Sequence, residues 1–212
     1  MWLLGIDDAT RSNVLGSLTC AGFLVKKENL KKLRMIGVKD SKVLTRHQRD
    51  TIFEHLKKLG KYEIIYITAE MISTGRNLND LECEAYCKIA QKLKANKILV
   101  NNFDRNRNKF IMRAERLGFK FRWDRWYLGH NNESKYLPIG AASIIAKHFS
   151  DTEYDMMKER YNFDFGAGQP NDYRTRAFIF KHLNHNPKCN NGCRWIRWNW
   201  HTIERLRKEL GD

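Results

Sequence analysis

Prolines are few, cysteines are scattered, long apolar runs are absent, and acid is scarce. Three prolines in 212 residues, with no low-complexity tract, argue against long linkers between separately folded units. Five cysteines, Cys20, Cys83, Cys87, Cys189 and Cys193, are too few and too scattered for a disulfide scaffold in a chain of this size. No apolar run approaches the length of a membrane span, and no basic stretch precedes a signal-like segment at the N-terminus. The expectation is a soluble, intracellular, cytoplasmic protein with no membrane partner. No repeat of fixed period is visible, so solenoids and propellers are excluded.

Scarcity of acid leaves a large imbalance. There are 39 Lys and Arg against 24 Asp and Glu, a formal net charge of +15. Such an excess favours a polyanionic partner, nucleic acid first, with a generic basic surface as the alternative.

Leu3-Leu4-Gly5-Ile6-Asp7-Asp8 is a short apolar run ending in two adjacent carboxylates. Runs of this kind read as buried strands, here over residues 2–8. Two carboxylates where a strand emerges offer hard oxygens suited to Mg²⁺ or Mn²⁺ and to phosphoryl chemistry; the plainer reading is the start of a polar turn. Leu15 to Val25 reads as one or two further strands, with Gly16 and Gly22 at bends. Residues 26–43 read as a basic surface loop. Thr45 and Gln48 form a capping-box signal for a helix whose apolar face is Ile52, Phe53, Leu56 and Leu59, ended by Gly60.

Tyr62–Thr68 predicts a strand. Asn79 with Glu82 predicts the cap of a helix reaching about Ala95, on which Cys83 and Cys87 are packing residues. Lys97–Val100 predicts a buried strand running into the turn Asn101–Asp104. A helix follows and stops at Gly118. Phe119, Phe121 and Trp123 alternate with charged residues at strand spacing. His130–Ser134 is polar and leads into a helix over Ile139–Phe149, rich in small residues that let it lie close to a sheet. Residues 173–184 and 200–210 look helical. This order predicts an α/β fold with a mixed sheet and helices on its faces.

Along nearly its whole length the sequence resembles ribonuclease HII, particularly the archaeal members. Gly5-Ile6-Asp7-Asp8-Ala9 with Arg11 is similar to the family's GIDEAGRG signature. Lys39-Asp40-Ser41-Lys42 with Leu44-Thr45 is similar to its DSK element, and Leu78-Asn79 with Glu82 to the start of a family helix. Ala141–Lys147 with Asp151 resembles its AASI-LAK stretch. Pro170, Asp172 and Arg174–Phe178 resemble P-SD-RTRAF, and Arg197, Trp200 and Thr202 fit a C-terminal R–W–T pattern.

The resemblance implies a ribonuclease H-like fold with a mixed five-stranded sheet. It implies a ribonuclease H-like domain over residues 1–155 and a small C-terminal helical extension over 156–212 packed on it as one structural unit. It also implies cleavage of the RNA strand of RNA/DNA hybrids, or next to ribonucleotides embedded in DNA, by four carboxylates with Mg²⁺ or Mn²⁺. Those four positions fall on Asp7, Asp8, Asn101 and Glu133. Only Asp7 is unchanged. Asp8 replaces a glutamate and Glu133 an aspartate, shifting the oxygens by about a methylene where tolerances are of order 0.5 Å. Asn101 replaces an acceptor-only carboxylate with a neutral amide; Asp104, three residues on, is a possible substitute.

The family's substrate-sensing glycines become Thr10 and Ser12 around Arg11, and a junction-stacking tyrosine becomes Gln169. Nucleic-acid contacts are expected from Thr10, Arg11, Ser12, Lys39, Ser41, Lys42, Lys147, Gln169, Arg174, Arg176 and Arg197, and metal ligation from Asp7, Asp8 and Glu133. The scaffold motifs survive while the catalytic positions change. That pattern predicts a monomeric ribonuclease HII-like protein that binds RNA/DNA hybrid, RNA-containing duplex or structured RNA, within a ribonucleoprotein or alone. Metal-dependent hydrolysis would be impaired or lost. The alternative is an active RNA-strand endonuclease with altered metal geometry and junction specificity.

Two C-terminal features stand apart. His182, His185, Cys189 and Cys193 are zinc-ligand types at tolerable spacing, the alternative being a surface helix and loop with reduced thiols. Arg194–His201 interleaves base and aromatic, suited to gripping phosphates while stacking on bases, unless its tryptophans are core residues.

Overall fold

The computed structural model describes residues 1–39, 41–104, 106–129, 135–183 and 193–209, the side chain of Cys193 excepted. Five strands form one sheet: β1 (Trp2–Ala9), β2 (Leu18–Lys26), β3 (Gly60–Ile67), β4 (Lys97–Asn101) and β5 (Trp126–Gly129). Their order is β3-β2-β1-β4-β5. β1 pairs antiparallel with β2, and β2 with β3; β1–β4 and β4–β5 are parallel. The helices are α1 (Leu30–Met35), α2 (Arg46–Leu59), α3 (Ala69–Ser73), α4 (Leu78–Leu93), α5 (Arg107–Arg116), α6 (Leu137–Tyr161), α7 (Tyr173–His182) and α8 (His201–Glu209).

Each face of the sheet carries its own core. Leu4 and Ile6 of β1 join Tyr86, Ile89, Val100, Phe110 and Trp126 under α4 and α5. Leu3 and Ala9 join Phe23, Ile52, Leu56, Ala141 and Ile145 under α2 and α6. The split follows from the two-residue period of a strand. It also sends the successive residues Asp7 and Asp8 to opposite faces. The third core holds Val14, Leu15, Tyr154, Phe165, Ile179, Ile196 and Leu206, and joins the β1–β2 loop to the C-terminal segment.

α6 runs from Leu137 to Tyr161, well beyond the predicted Phe149, and passes unbroken through residues 155 and 156. The line drawn between domain and extension therefore falls inside a helix. Its first half is small and fully buried through Gly140, Ala141, Ala142 and Ala146. Gly5 lets it approach: a Cβ there would stand 2.0 Å from the Pro138 carbonyl oxygen.

Several local expectations change. Leu15–Val25 holds one strand rather than two, and residues 26–43 include α1. The α2 capping box is present in full, Thr45 and Gln48 bonding reciprocally. α4, however, is capped by Asn77, whose side chain accepts from the Asn79 N–H at 2.9 Å. Phe119, Phe121 and Trp123 do not form a strand; their rings pack on one another and on Trp126, so the alternation records burial against that core.

Candidate active site

The site lies where β1 and β4 end side by side. Asp7 is buried on the α6 face, with Ser143 beside it, and Asp8 faces α4. Asn101 ends β4, and its Nδ2 donates to Asp7 Oδ1 at 2.9 Å. Burial first, and then the charge of Asp8, hold the Asp7 carboxyl well above the usual range, against the hydrogen bonds from Asn101 and Ser143. Burial also raises Asp8, opposed by hydrogen bonds to Tyr86 and Glu82 and by the charges of Arg11 and Lys42.

Two α4 residues complete the Asp8 side. Tyr86 is fully buried and donates its hydroxyl to Asp8 Oδ1 at 3.0 Å. Glu82 is fully buried; its Oε2 accepts from Arg11 Nε at 2.8 Å. Its other oxygen, Oε1, has no ordinary donor among the described residues. Burial and then Asp8 raise Glu82 well above its usual range, and the two carboxyls are within hydrogen-bonding reach, the arrangement of two acids sharing a proton. Asn79 also accepts from Arg11. The Asn79–Glu82 pair read as a cap is thus a holder for Arg11. The signal for Glu82 and Tyr86 was present in the sequence: both stand on the apolar face of α4 with Ile89 and Leu93, where an acid must have a partner.

A cleft of about 430 Å³ opens over this centre. Asp7, Asp8 and Asn101 line it, as do Thr10, Arg11, Ser12, Ser41, Lys42, Lys147 and Gln169 from the expected nucleic-acid set. Ser41 is buried, its hydroxyl 2.8 Å from that of Ser143. Lys147 pairs with Asp151 at 2.7 Å, and Asp151 also accepts from Arg49 at 2.6 Å. A second cleft shares Thr10 and Lys147 with the first and takes in Arg46 and Arg174. Arg174 is paired there with Asp164 at 2.6 Å.

Lys39 is exposed but does not line the main cleft. Arg176 pairs with Glu209 of α8 and lies over the Phe180 ring, outside both clefts. Arg197 departs furthest from expectation. It is fully buried, with its guanidinium spent on the carbonyls of Gly16, Arg11 and Thr10 at 2.9, 3.0 and 3.0 Å, so it cannot meet a phosphate. The interleaved aromatics are also turned inward. Trp195, Trp198 and Trp200 are half-buried under cations of the same segment and of α8.

Thr10 has φ 66°, the left-handed region in which a β-branched residue is strained by about 1–2 kcal/mol. Threonine stands here in a backbone shape that suits glycine. Thr10 Oγ1 offsets part of the strain by donating to the Ser17 carbonyl at 2.7 Å.

Asp7, Asp8 and the Asn101 amide are hard donors that fit Mg²⁺ or Mn²⁺ in kind, and a buried pair of like charges is relieved by a cation. Asn101 nevertheless presents a donor nitrogen to Asp7. Among the described residues no three His, Cys, Asp or Glu are grouped to hold a metal. Glu133 lies outside the described residues, as do His185, Cys189 and the Cys193 side chain of the zinc series. His182 is buried in α7, donating Nδ1–H to the Phe178 carbonyl at 2.7 Å. Cys20, Cys83 and Cys87 are buried free thiols. No described helix is long and apolar enough to cross a membrane.

The comparisons with known proteins agree with this fold. The family model for ribonuclease HII matches residues 4–202. Ribonuclease HII of Pyrococcus furiosus is 32% identical over 97% of this chain and 91% of its own length. The crystal structure of ribonuclease H2 from Pyrococcus horikoshii OT3 superposes with a TM-score of 0.86 at 29% identity, covering 100% of both chains. Bst-RNase HIII, solved in complex with Mn²⁺, superposes at 0.81 over 99% of this chain and 70% of its own, and at 15% identity shows the shared fold alone. The family model over residues 4–202, a relative 32% identical along nearly the whole chain and the shared five-stranded mixed sheet place the chain in the ribonuclease HII family, with its ribonuclease H-like fold.

Proposed function

We propose that the chain binds RNA/DNA hybrids or RNA-containing duplexes in the cleft over Asp7 and Asp8, with its metal-dependent hydrolysis impaired. The observation that carries this reading is the bond from Asn101 Nδ2 to Asp7 Oδ1. In the family's pattern that position is a carboxylate, and two carboxylates there are held together by a shared cation. Here a neutral donor satisfies Asp7 directly, so the attraction for a second ion falls by a full charge.

Asp7 and Asp8 would hold Mg²⁺ or Mn²⁺, which when bound supplies an activated water and charge for the leaving oxygen. The remaining work belongs to the chain. Tyr86 and Glu82 fix the Asp8 carboxyl. Lys42 and Lys147 line the cleft and bring positive charge to a phosphate backbone. Thr10 and Ser12 bring side chains to the wall where the family uses glycine. The fold and basic lining favour docking, and Asn101 argues against efficient turnover.

The test is incubation with an RNA/DNA hybrid and with a duplex holding one ribonucleotide, in Mg²⁺ and in Mn²⁺. Salt-sensitive binding with little cleavage, and cleavage restored by Asn101→Asp, is the expected result. Efficient cleavage by the natural sequence, abolished in Asp7→Asn, would establish the active endonuclease instead.

A further inference from the structure

The β1–β2 loop holds a backbone shape that its own sequence resists. Thr10 is left-handed, and Gly16 at the far end is too, with φ 77°. The clamp on this loop comes from the opposite end of the chain. Arg197 Nε donates to the Gly16 carbonyl at 2.9 Å, Nη1 to that of Arg11 at 3.0 Å, and Nη2 to that of Thr10 at 3.0 Å. The neighbouring backbone adds two bonds, Arg197 N–H to the Val14 carbonyl at 3.0 Å and Gly16 N–H to the Trp195 carbonyl at 2.8 Å.

A planar guanidinium is suited to this task, because its fork of donors fixes three carbonyls in one orientation. It is costly to place there: burial pulls its pKa down to about 10. Its donors all end on backbone carbonyls of one loop, beside a core that Leu15, Ile196 and Phe178 make. What it sets is the direction of Thr10, Arg11 and Ser12, which line the cleft.

We propose that Arg197 is a positioning residue for substrate discrimination: it holds the strained Thr10–Gly16 loop so that the loop backbone and Ser12 meet the ribonucleotide-bearing strand. This rests on the nucleic-acid reading above. It ties Thr10 to Arg197 in a way simple stability does not, since a threonine at a glycine-like φ raises the demand on the clamp. Glycine at position 10 has no such strain and needs less holding.

The experiment compares the natural protein with Arg197→Met, Thr10→Gly and the double variant. One readout is the ratio of affinities for a duplex with one embedded ribonucleotide and for the all-DNA duplex. Another is hydrogen exchange at the Val14 and Gly16 amides, and a third is the urea midpoint. Arg197→Met is expected to lower the affinity ratio by about tenfold or more, in keeping with small misplacements at a site, and to speed exchange. Adding Thr10→Gly returns most of both, while the urea midpoint recovers only by the small amount that the relieved strain supplies. An unchanged ratio and exchange in Arg197→Met would overturn the proposal. So would a failure of Thr10→Gly to restore either readout. If the natural protein binds neither duplex, the nucleic-acid reading fails, and the proposal's link to discrimination with it; exchange rescue then decides the clamp alone. Should Arg197→Met not fold, Arg197→Lys, which reaches fewer carbonyls, carries the same comparison.

Discussion

Asn101 and Asp7 are joined by a 2.9 Å hydrogen bond across the adjacent parallel strands β4 and β1. Restoring an acid at position 101 removes a donor and sets a second charge beside a buried one. Asn101→Asp is therefore expected to lose about 1–3 kcal/mol of stability without divalent ions and to regain it when Mn²⁺ is added. Thermal unfolding with and without Mn²⁺ reads both halves; an ion-independent loss would mean that no cation is held there.

The pH dependence follows from Asp7, Asp8 and Glu82, all raised by burial first. A carboxyl whose folded pKa exceeds its unfolded value contributes stability that is fully present below the unfolded value of about 4 and is lost as pH rises through the folded one. The ion-free protein should lose this contribution toward neutral pH, and a bound divalent ion should remove the loss. Asp80 and Asp172, held low, work in the opposite sense and weaken the fold as pH falls through their folded values. Asp7→Asn is expected to raise the unfolding temperature by about 2–4 °C at pH 7 without added metal, roughly 1 kcal/mol, while abolishing any cleavage.

Tyr86→Phe deletes the hydroxyl that Asp8 accepts at 3.0 Å and keeps the ring in its core. A cost of about 1 kcal/mol is expected, with the Asp8 carboxyl pushed further up. The titration of Asp8, followed by carboxyl carbon chemical shift, checks it.

Gly5→Ala places a Cβ against backbone at the start of α6, where no side chain can yield. The strand and helix must separate, at about 3 kcal/mol or more. Chemical denaturation measures the cost, and metal affinity should fall with it because Asp7 is seated between those two elements.

Lys147→Met removes a cleft cation without touching the buried centre. Binding to duplexes should weaken by a similar factor for every sequence, and the slope of log affinity against log salt should fall by about one. A sequence-dependent loss would assign Lys147 to base contact instead.

Much of the scaffold was legible because its signals are local. The β1 run, the Thr45–Gln48 box and the small residues of α6 each state their structure within a few positions. The Phe119–Trp123 alternation misled because aromatics directed into one core imitate the period of a strand. Asp7, Asp8 and Asn101 could be placed together only through the family resemblance, since the β1–β4 pairing spans some ninety residues and leaves no local mark. Arg197 was misread for a related reason. An arginine among tryptophans has the composition of a nucleic-acid grip, and only its packing under the β1–β2 loop reveals an internal role.

That packing has a consequence for the order in which the protein can be completed on the ribosome. Residue 197 reaches Thr10 across 187 positions of chain. All five strands are made by Gly129, and α6 by Tyr161. A nascent chain can therefore assemble the sheet and bring the two aspartates to its edge while the loop beside them is still unclamped. The Thr10–Gly16 wall of the cleft cannot acquire its clamped shape until residue 197 is made, although its own sequence is among the first synthesised.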